Sequence, residues 1–193
     1  MLKFVQSYLT VTRRQRSLTD SRKSKGLDLP NLVHNLNITE PFQVMTSDIS
    51  YVRTAQGFDY LCSIKDVVSG IVLAQSISNN MKAELVVKTI NKAKSCWNLP
   101  IGCIHHSDRG SQYTSEIVTK LLKKHGILQS FSRAGKPGDN AWNESYFAKL
   151  KKEAVHWRHF RTRDEARQAI FAYTEGFYNT RRVQKRLGYL SPL

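Results

Sequence analysis

From Phe42 to Ser78 the chain offers three runs of strand-forming residues divided only by turn-sized breaks. "FQVMTSDISYVRT" and "FDYLCSIKDVV" flank Ala55-Gln56-Gly57, and "GIVLAQSIS" follows Ser69-Gly70. Breaks that short join antiparallel neighbours, so a three-stranded meander is expected. The texture then changes. "MKAELVVKTINKAKSCW" spaces Leu85, Ile90, Ala93 and Trp97 near helical intervals and is stopped by Pro100. "IGCIHH" reads as a strand, "SEIVTKLLKKHG" as a helix ending at Gly126, and "ILQSF" as another short strand. After the turn-rich "SRAGKPGDNA", both "WNESYFAKLKKEAVHW" and "TRDEARQAIFAYTEGFYN" have helical patterns. A meander followed by alternating helix and strand makes an α/β sheet of mixed direction.

Charge narrows what such a fold would meet. In 193 residues there are 30 Lys and Arg against 15 Asp and Glu, a formal net charge of +15. So large an excess repels itself unless a polyanion shares the surface, and nucleic acid is the first candidate, ahead of an acidic membrane or a ribosomal partner. Cys62, Cys96 and Cys103 are odd in number and contain no C-x-x-C pair, which argues against a disulfide framework or a zinc knuckle. No run approaches the length of a membrane span and no secretory leader is visible, so the reading is a cytoplasmic or nucleoid-associated protein. Hydrophobic residues make up 40% of the chain, enough for one cored domain with extensions. Residues 1–40 read as a basic arm or linker, in which Arg13, Arg14, Arg16, Arg22, Lys23 and Lys25 lie around Asp20. Residues 41–180 form the expected core, and 181–193 a basic tail.

Three carboxylates stand out. Asp48 interrupts an otherwise strand-forming stretch, although strands disfavour Asp. Asp108 follows the strand that the element order would place beside the first. Glu144 lies near the start of a helix whose apolar stripe is Phe147, Leu150 and Ala154, at the edge of that stripe. Each alone has an ordinary explanation: an exposed strand edge, a turn residue, and a first-turn acid complementing the helix dipole after a cap at Asp139 or Asn140. Together, anionic groups in a strongly basic chain that binds an anionic polymer make electrostatic sense only with cations between them. Divalent ions held by carboxylates would clamp both the attacking and the leaving oxygen of a phosphoryl displacement.

The same residues carry a resemblance. "TSDISYV", "HHSDRGSQYTS" and "DNAWNESYFAKLKKE" resemble the three blocks of insertion-sequence transposases with a retroviral-integrase-type core, the insertion-sequence-three family in particular. Thirty-five residues lie between Asp108 and Glu144, the D,D-35-E spacing of that family. The likeness runs from about Asn31 through "FYNTRRVQKRLGYLSP". It implies an RNase H-like fold with a mixed five-stranded sheet flanked by helices. It also implies a site for two magnesium or manganese ions at Asp48, Asp108 and Glu144, with transposon-end and target DNA as substrates and a homo-oligomer assembled on DNA. Such transposases usually carry a helix-turn-helix segment ahead of the core, where this sequence has only the basic arm. A truncated copy, or end recognition by another polypeptide, is the corresponding expectation.

Other residues take supporting roles in this reading. Ser107 and Gln112 could support metal-bound water or the phosphate backbone, and His106 packs or hydrogen-bonds beside the site. Gly110 lets the chain turn away after Asp108. From Ser145 onward eleven Lys and Arg face four acids, and Lys149, Lys151, Lys152, Arg181, Arg182, Lys185 and Arg186 form the expected DNA-backbone track. Lys151, seven residues after Glu144, projects from the same helix face. Trp142 and Tyr146 suit either base stacking or core packing. Asp66 reads as a structural cap, and His156, Trp157 and His159 as a solvated helix end. The competing function is a non-catalytic DNA-binding remnant or regulator of a full-length transposase.

Overall fold

The computed structural model describes residues 29–133 and 140–193. The expected meander forms as β1 (Val44–Thr54), β2 (Gly57–Asp66) and β3 (Val72–Ser78), each antiparallel to its neighbour. The first turn needs only Ala55 and Gln56, because Gly57 takes φ +104 and the Thr54 hydroxyl ties the corner to the Gly57 carbonyl at 2.8 Å. Helix α1 (Ala83–Cys96) then crosses to β4 (Ile104–Ser107), and α2 (Glu116–Lys124) leads to β5 (Leu128–Phe131). β4 pairs parallel with both β1 and β5, so the sheet order is β3-β2-β1-β4-β5.

Strand alternation divides the core between the two sheet faces. Met45, Cys62 and Ile64 pack with Leu85, Val86 and Ile90 of α1 and Val118 and Leu122 of α2. On the other face Val52, Leu61 and Val72 meet α3 (Ala141–Leu150) through Tyr146, Phe147 and Leu150, and α4 (Arg163–Tyr173) through Ala166, Ile170 and Tyr173. Each fully buried aliphatic side chain here contributes about 2 kcal/mol. With both faces of the sheet covered and a strand on either side, β4 is dry, and its His105 and His106 are completely buried. Among the described residues no helix is long and apolar enough to cross a membrane.

The two late helices do not end where their α pattern stops. A π turn over Lys151–Val155 extends α3, and another over Thr174–Tyr178 extends α4. Tyr146 lies between these segments, wholly buried, with its hydroxyl 2.8 Å from that of Thr174. Core packing is therefore its role, and base stacking is not.

Both ends of the described chain are more committed to the core than their composition suggests. Residues 1–28 of the expected arm lie outside the described residues. Its last stretch packs onto the sheet: Phe131 N–H donates to the Pro30 carbonyl at 2.9 Å, and Val33 is buried beside Val44 and Ile104. At the other end Asn179 clamps β3, accepting from Val72 N–H at 3.0 Å and donating to the Val72 carbonyl at 3.1 Å. Beyond it Gln184 N–H donates to the Leu190 carbonyl at 2.9 Å, folding the tail back on itself.

Candidate active site

Asp48 and Asp108 are brought level by register. In the parallel β1–β4 ladder Thr46 pairs with His106, and each aspartate stands two residues further along its own chain. Two residues restore the same sheet face, so both belong to the face covered by α3. Asp48 accepts from the N–H of Ile49 at 2.7 Å. Asp108 accepts from the N–H of Gly110 at 2.9 Å, an Asx turn that fixes the carboxylate and bends the chain away. Gly110 takes no left-handed backbone angle, so it serves here through its amide and not through conformational freedom.

Glu144 arrives from across the sheet, in the exposed first turn of α3. The N-cap is Asn140, whose side chain makes no capping bond; its amide instead lies 3.5 Å from the Ser47 carbonyl beside Asp48. Asn143 meets Ser63 at 3.5 Å, and Ser63 is the residue paired with Asp48 across β1–β2. The helix start is thus docked on the strands that carry the first aspartate.

Electrostatics link the three acids. Burial, then the negative charge of Asp108 and, more weakly, that of Glu144, push the Asp48 carboxyl up to about 7; the Ile49 amide and Lys151 pull the other way. Two other buried acids are satisfied internally. Asp59 is flanked by Arg163 and Arg167, both at 3.0 Å, and Asp66 accepts from Phe42 N–H, Ser69 N–H and the Ser69 hydroxyl. Asp66 is therefore a structural cap, as its position between strand and turn suggests. Neither Asp48 nor Glu144 makes an ion pair among the described residues.

A hard divalent cation suits this donor set. The donors are carboxylate oxygens, their mutual repulsion helps to raise Asp48, and magnesium takes one or two carboxylates with water and substrate phosphate. Among the described residues no three His, Cys, Asp or Glu side chains form a ready cage for an ion. A site finished by water and phosphate oxygens needs none.

The supporting residues are distributed differently. His106 lies between two hydroxyls, Nδ1 at 2.9 Å from Ser130 and Nε2 at 3.2 Å from Ser132, which bind it into the sheet next to Asp108. Ser107 donates to the Asp108 carbonyl at 3.0 Å. Gln112 donates through Nε2 to the Met81 carbonyl at 3.0 Å, securing the approach to α1. Lys151 holds its ammonium 5.1 Å above the Tyr51 ring, and its ionisation is pulled down by burial and supported by Asp48. Arg182 grips Glu153 with Nε at 2.9 Å and Nη2 at 2.6 Å, and Arg186 donates to the carbonyls of Val67 and Val68 at 3.1 and 3.0 Å. Lys152, Arg181, Lys185 and Arg186 itself remain exposed, as does Trp157. Sequence reasoning misses Lys65, which is buried although charged; its only signal is a lysine inside an apolar strand run.

A five-stranded sheet in this order, with one aspartate on the central strand, a second just past the end of its parallel neighbour and a glutamate on a helix across the face, defines an RNase H-like core. Known proteins agree. Residues 38–137 match the family described as Integrase core domain, and residues 125–192 match a second model with the same description. The chain is 39% identical over 173 residues to the transposase for insertion sequence element IS904 of Lactococcus lactis, covering 89% of this chain and 68% of that protein. It is 38% identical over 152 residues to transposase InsF for insertion sequence IS3A of Escherichia coli, covering 79% and 53%. Among solved structures, the HTLV-2 integrase catalytic core domain in complex with magnesium superposes with a TM-score of 0.60 at 13% identity, covering 81% of this chain and 97% of that one. The chain belongs to the integrase-core family, among the transposases of the insertion-sequence-three type. It spans between about half and two thirds of the length of the curated relatives it matches.

Proposed function

We propose that this chain cuts one DNA strand at each transposon end and then joins the freed 3′-hydroxyl to target DNA, with Asp48, Asp108 and Glu144 holding two divalent ions, magnesium or manganese. The observation that carries the reading is the position of Asp48: level with Asp108, charged against both partners, and without an ion pair among the described residues of a chain of net charge +15. When bound, the ions supply Lewis-acid polarisation and neutralise charge at the attacking and leaving oxygens.

The chain's own residues supply position. The Ile49 and Gly110 amides fix the two aspartates, while buried Tyr146 sets the depth of the helix that bears Glu144. Lys151, steadied over Tyr51, orients the phosphate next to the scissile bond. Lys152, Arg181 and Lys185 track the backbone from the exposed side, with Lys149, Arg182 and Arg186 adding charge behind them. Two ends cut in concert call for a homo-oligomer on DNA.

The test is a labelled oligonucleotide carrying the element end, incubated with the protein and magnesium, manganese or calcium, with nicked and joined products resolved. Nicking followed by end-dependent joining is expected. Duplex binding without either product would leave a non-catalytic binder or regulator.

A further inference from the structure

Lys65 lies at the inner end of β2, only 3% exposed, and among the described residues its ammonium has one hydrogen-bond acceptor, the Trp142 carbonyl at 3.1 Å. A buried ammonium normally faces a carboxylate. The adjacent Asp66 is turned to Phe42 and Ser69 instead. The charges of Arg186 of the tail and Lys149 of α3 act against the Lys65 ammonium, with Asp66 opposing them. Lys149 is pressed in turn by Arg182 and Arg186, and Glu153, the acid beside them, is already held by Arg182 and Tyr173.

This crowding of cations is built. Arg186 is fixed by two carbonyls of the β2–β3 turn, and it lies against Gly70, where a Cβ would collide with its Nη2. Gly70 also takes φ +76, so a side chain is disfavoured there on both counts. An arginine locked in place beside a buried lysine and a half-buried one costs free energy until an anion arrives between them.

We propose that Lys65, Lys149 and Arg186 form a seat for one DNA backbone phosphate, which registers the duplex against the start of α3. The proposal rests on the DNA reading above and goes beyond it by adding a residue and a location. Lys65 and Ser63 are alternate residues of β2 and share a face, and Ser63 is the partner of Asp48. The seat is thus about 7 Å along the strand from the aspartate, a span of about two nucleotide rises. Trp142, which accepts from Lys65, precedes Glu144 by two residues. A phosphate seated there would be read by the same helix that carries the third acid.

Charge accounting supports the geometry. Burial first, then Arg186 and Lys149, lower the Lys65 ammonium to about 7, with Asp66 opposing weakly. A seated phosphate restores the charged form, so binding takes up protons near and above neutral pH.

The experiment uses the full chain without divalent metal and a short duplex, with binding followed by calorimetry at pH 7.5 in two buffers of different ionisation enthalpy. The wild type is expected to take up a fraction of a proton per duplex. Lys65→Met should bind about tenfold more weakly, the loss of one charge-assisted contact, and take up none of that fraction. Lys149→Gln should also shrink the uptake, because Lys65 freed of that neighbour is charged to a greater extent before the duplex binds; this half-buried position decides the matter should Lys65→Met fail to fold. Unchanged affinity in Lys65→Met, or undiminished uptake in both variants, would overturn the seat. Uptake with inorganic phosphate alone but none with duplex would overturn it too, in favour of a free anion. A wild type that bound no duplex would sink the DNA reading itself, an outcome distinct from these.

Discussion

Asp48 of β1 and Asp108, the first residue beyond β4, each stand two residues past the paired Thr46 and His106 of the parallel ladder. The adjoining ladder and the amides of Ile49 and Gly110, which bond the two carboxylates, limit the play between them. Asp48→Asn, Asp108→Asn and Glu144→Gln should each lower cleavage by about three orders of magnitude, because losing a ligand charge forfeits several kcal/mol of charge stabilisation. Duplex affinity without metal should be kept or slightly raised, as a negative charge facing phosphate is removed. Cleavage and gel-shift assays run in parallel check this, and substantial cleavage by any of the three variants would show that the triad is misassigned.

The raised Asp48 carboxyl gives a stability signature. An unfolded aspartate ionises near 3.8, whereas in the fold the proton is retained up to about 7. The folded state therefore binds more protons between those limits, and stability from this group falls as pH rises through them, levelling above 7. Asp48→Asn, measured without metal, should melt close to wild type near pH 4 and above it at pH 8. Adding magnesium should raise the melting temperature of the wild type more than that of the variant. Equal pH dependence of the two melting curves would contradict this account.

Much of this site is legible in the order of residues alone. Alternation and turn residues mark five strands, and the carboxylate blocks stand out because strands and basic surfaces disfavour acids. What stays hidden depends on contacts between distant parts of the chain. Nothing local to Arg186 says that it donates to Val67 and Val68, and nothing local to Val33 says that it is buried beside Val44. The π turns after Leu150 and Tyr173 are equally silent, since their sequences satisfy an α pattern as well.

Arg182 and Lys185 lie three residues apart in the expected DNA track, yet they should behave differently. Arg182 is bound to Glu153 by both Nε and Nη2, whereas Lys185 is exposed. Arg182→Ala should cost about 1 kcal/mol of stability as well as affinity. Lys185→Ala should weaken duplex binding and flatten its salt dependence by nearly one contact, with no change in melting temperature. Salt titrations beside thermal melts separate the two; a flat salt response of the wild type would point to a protein partner for the basic surface.

Asn179 offers a purely structural comparison. Its buried amide both donates to and accepts from Val72, so Asn179→Ala leaves two buried backbone groups of β3 without partners. A loss of about 2–4 kcal/mol is expected, at about 1–3 for each orphaned group less relaxation. Chemical denaturation checks it, and a loss under about 1 kcal/mol would mean that water replaces the clamp.

Lys151 and Lys149 separate alignment from affinity. Lys151 follows Glu144 by two helical turns, and its ammonium rests over Tyr51, where Asp48 also acts on it. Lys149 is turned towards Ser145, at 2.7 Å, and towards the cations of the tail. One phosphate contact among many adds little to total binding, but a contact at the scissile phosphate sets the line of attack. Lys151→Ala should therefore reduce strand transfer by about 10²-fold while duplex affinity falls only severalfold. Lys149→Ala should lose affinity and keep joining activity once the duplex is saturating. Rates measured at saturating DNA remove the affinity difference, and if both variants then join at the same rate, Lys151 belongs to the general basic face and does not align the reacting phosphate.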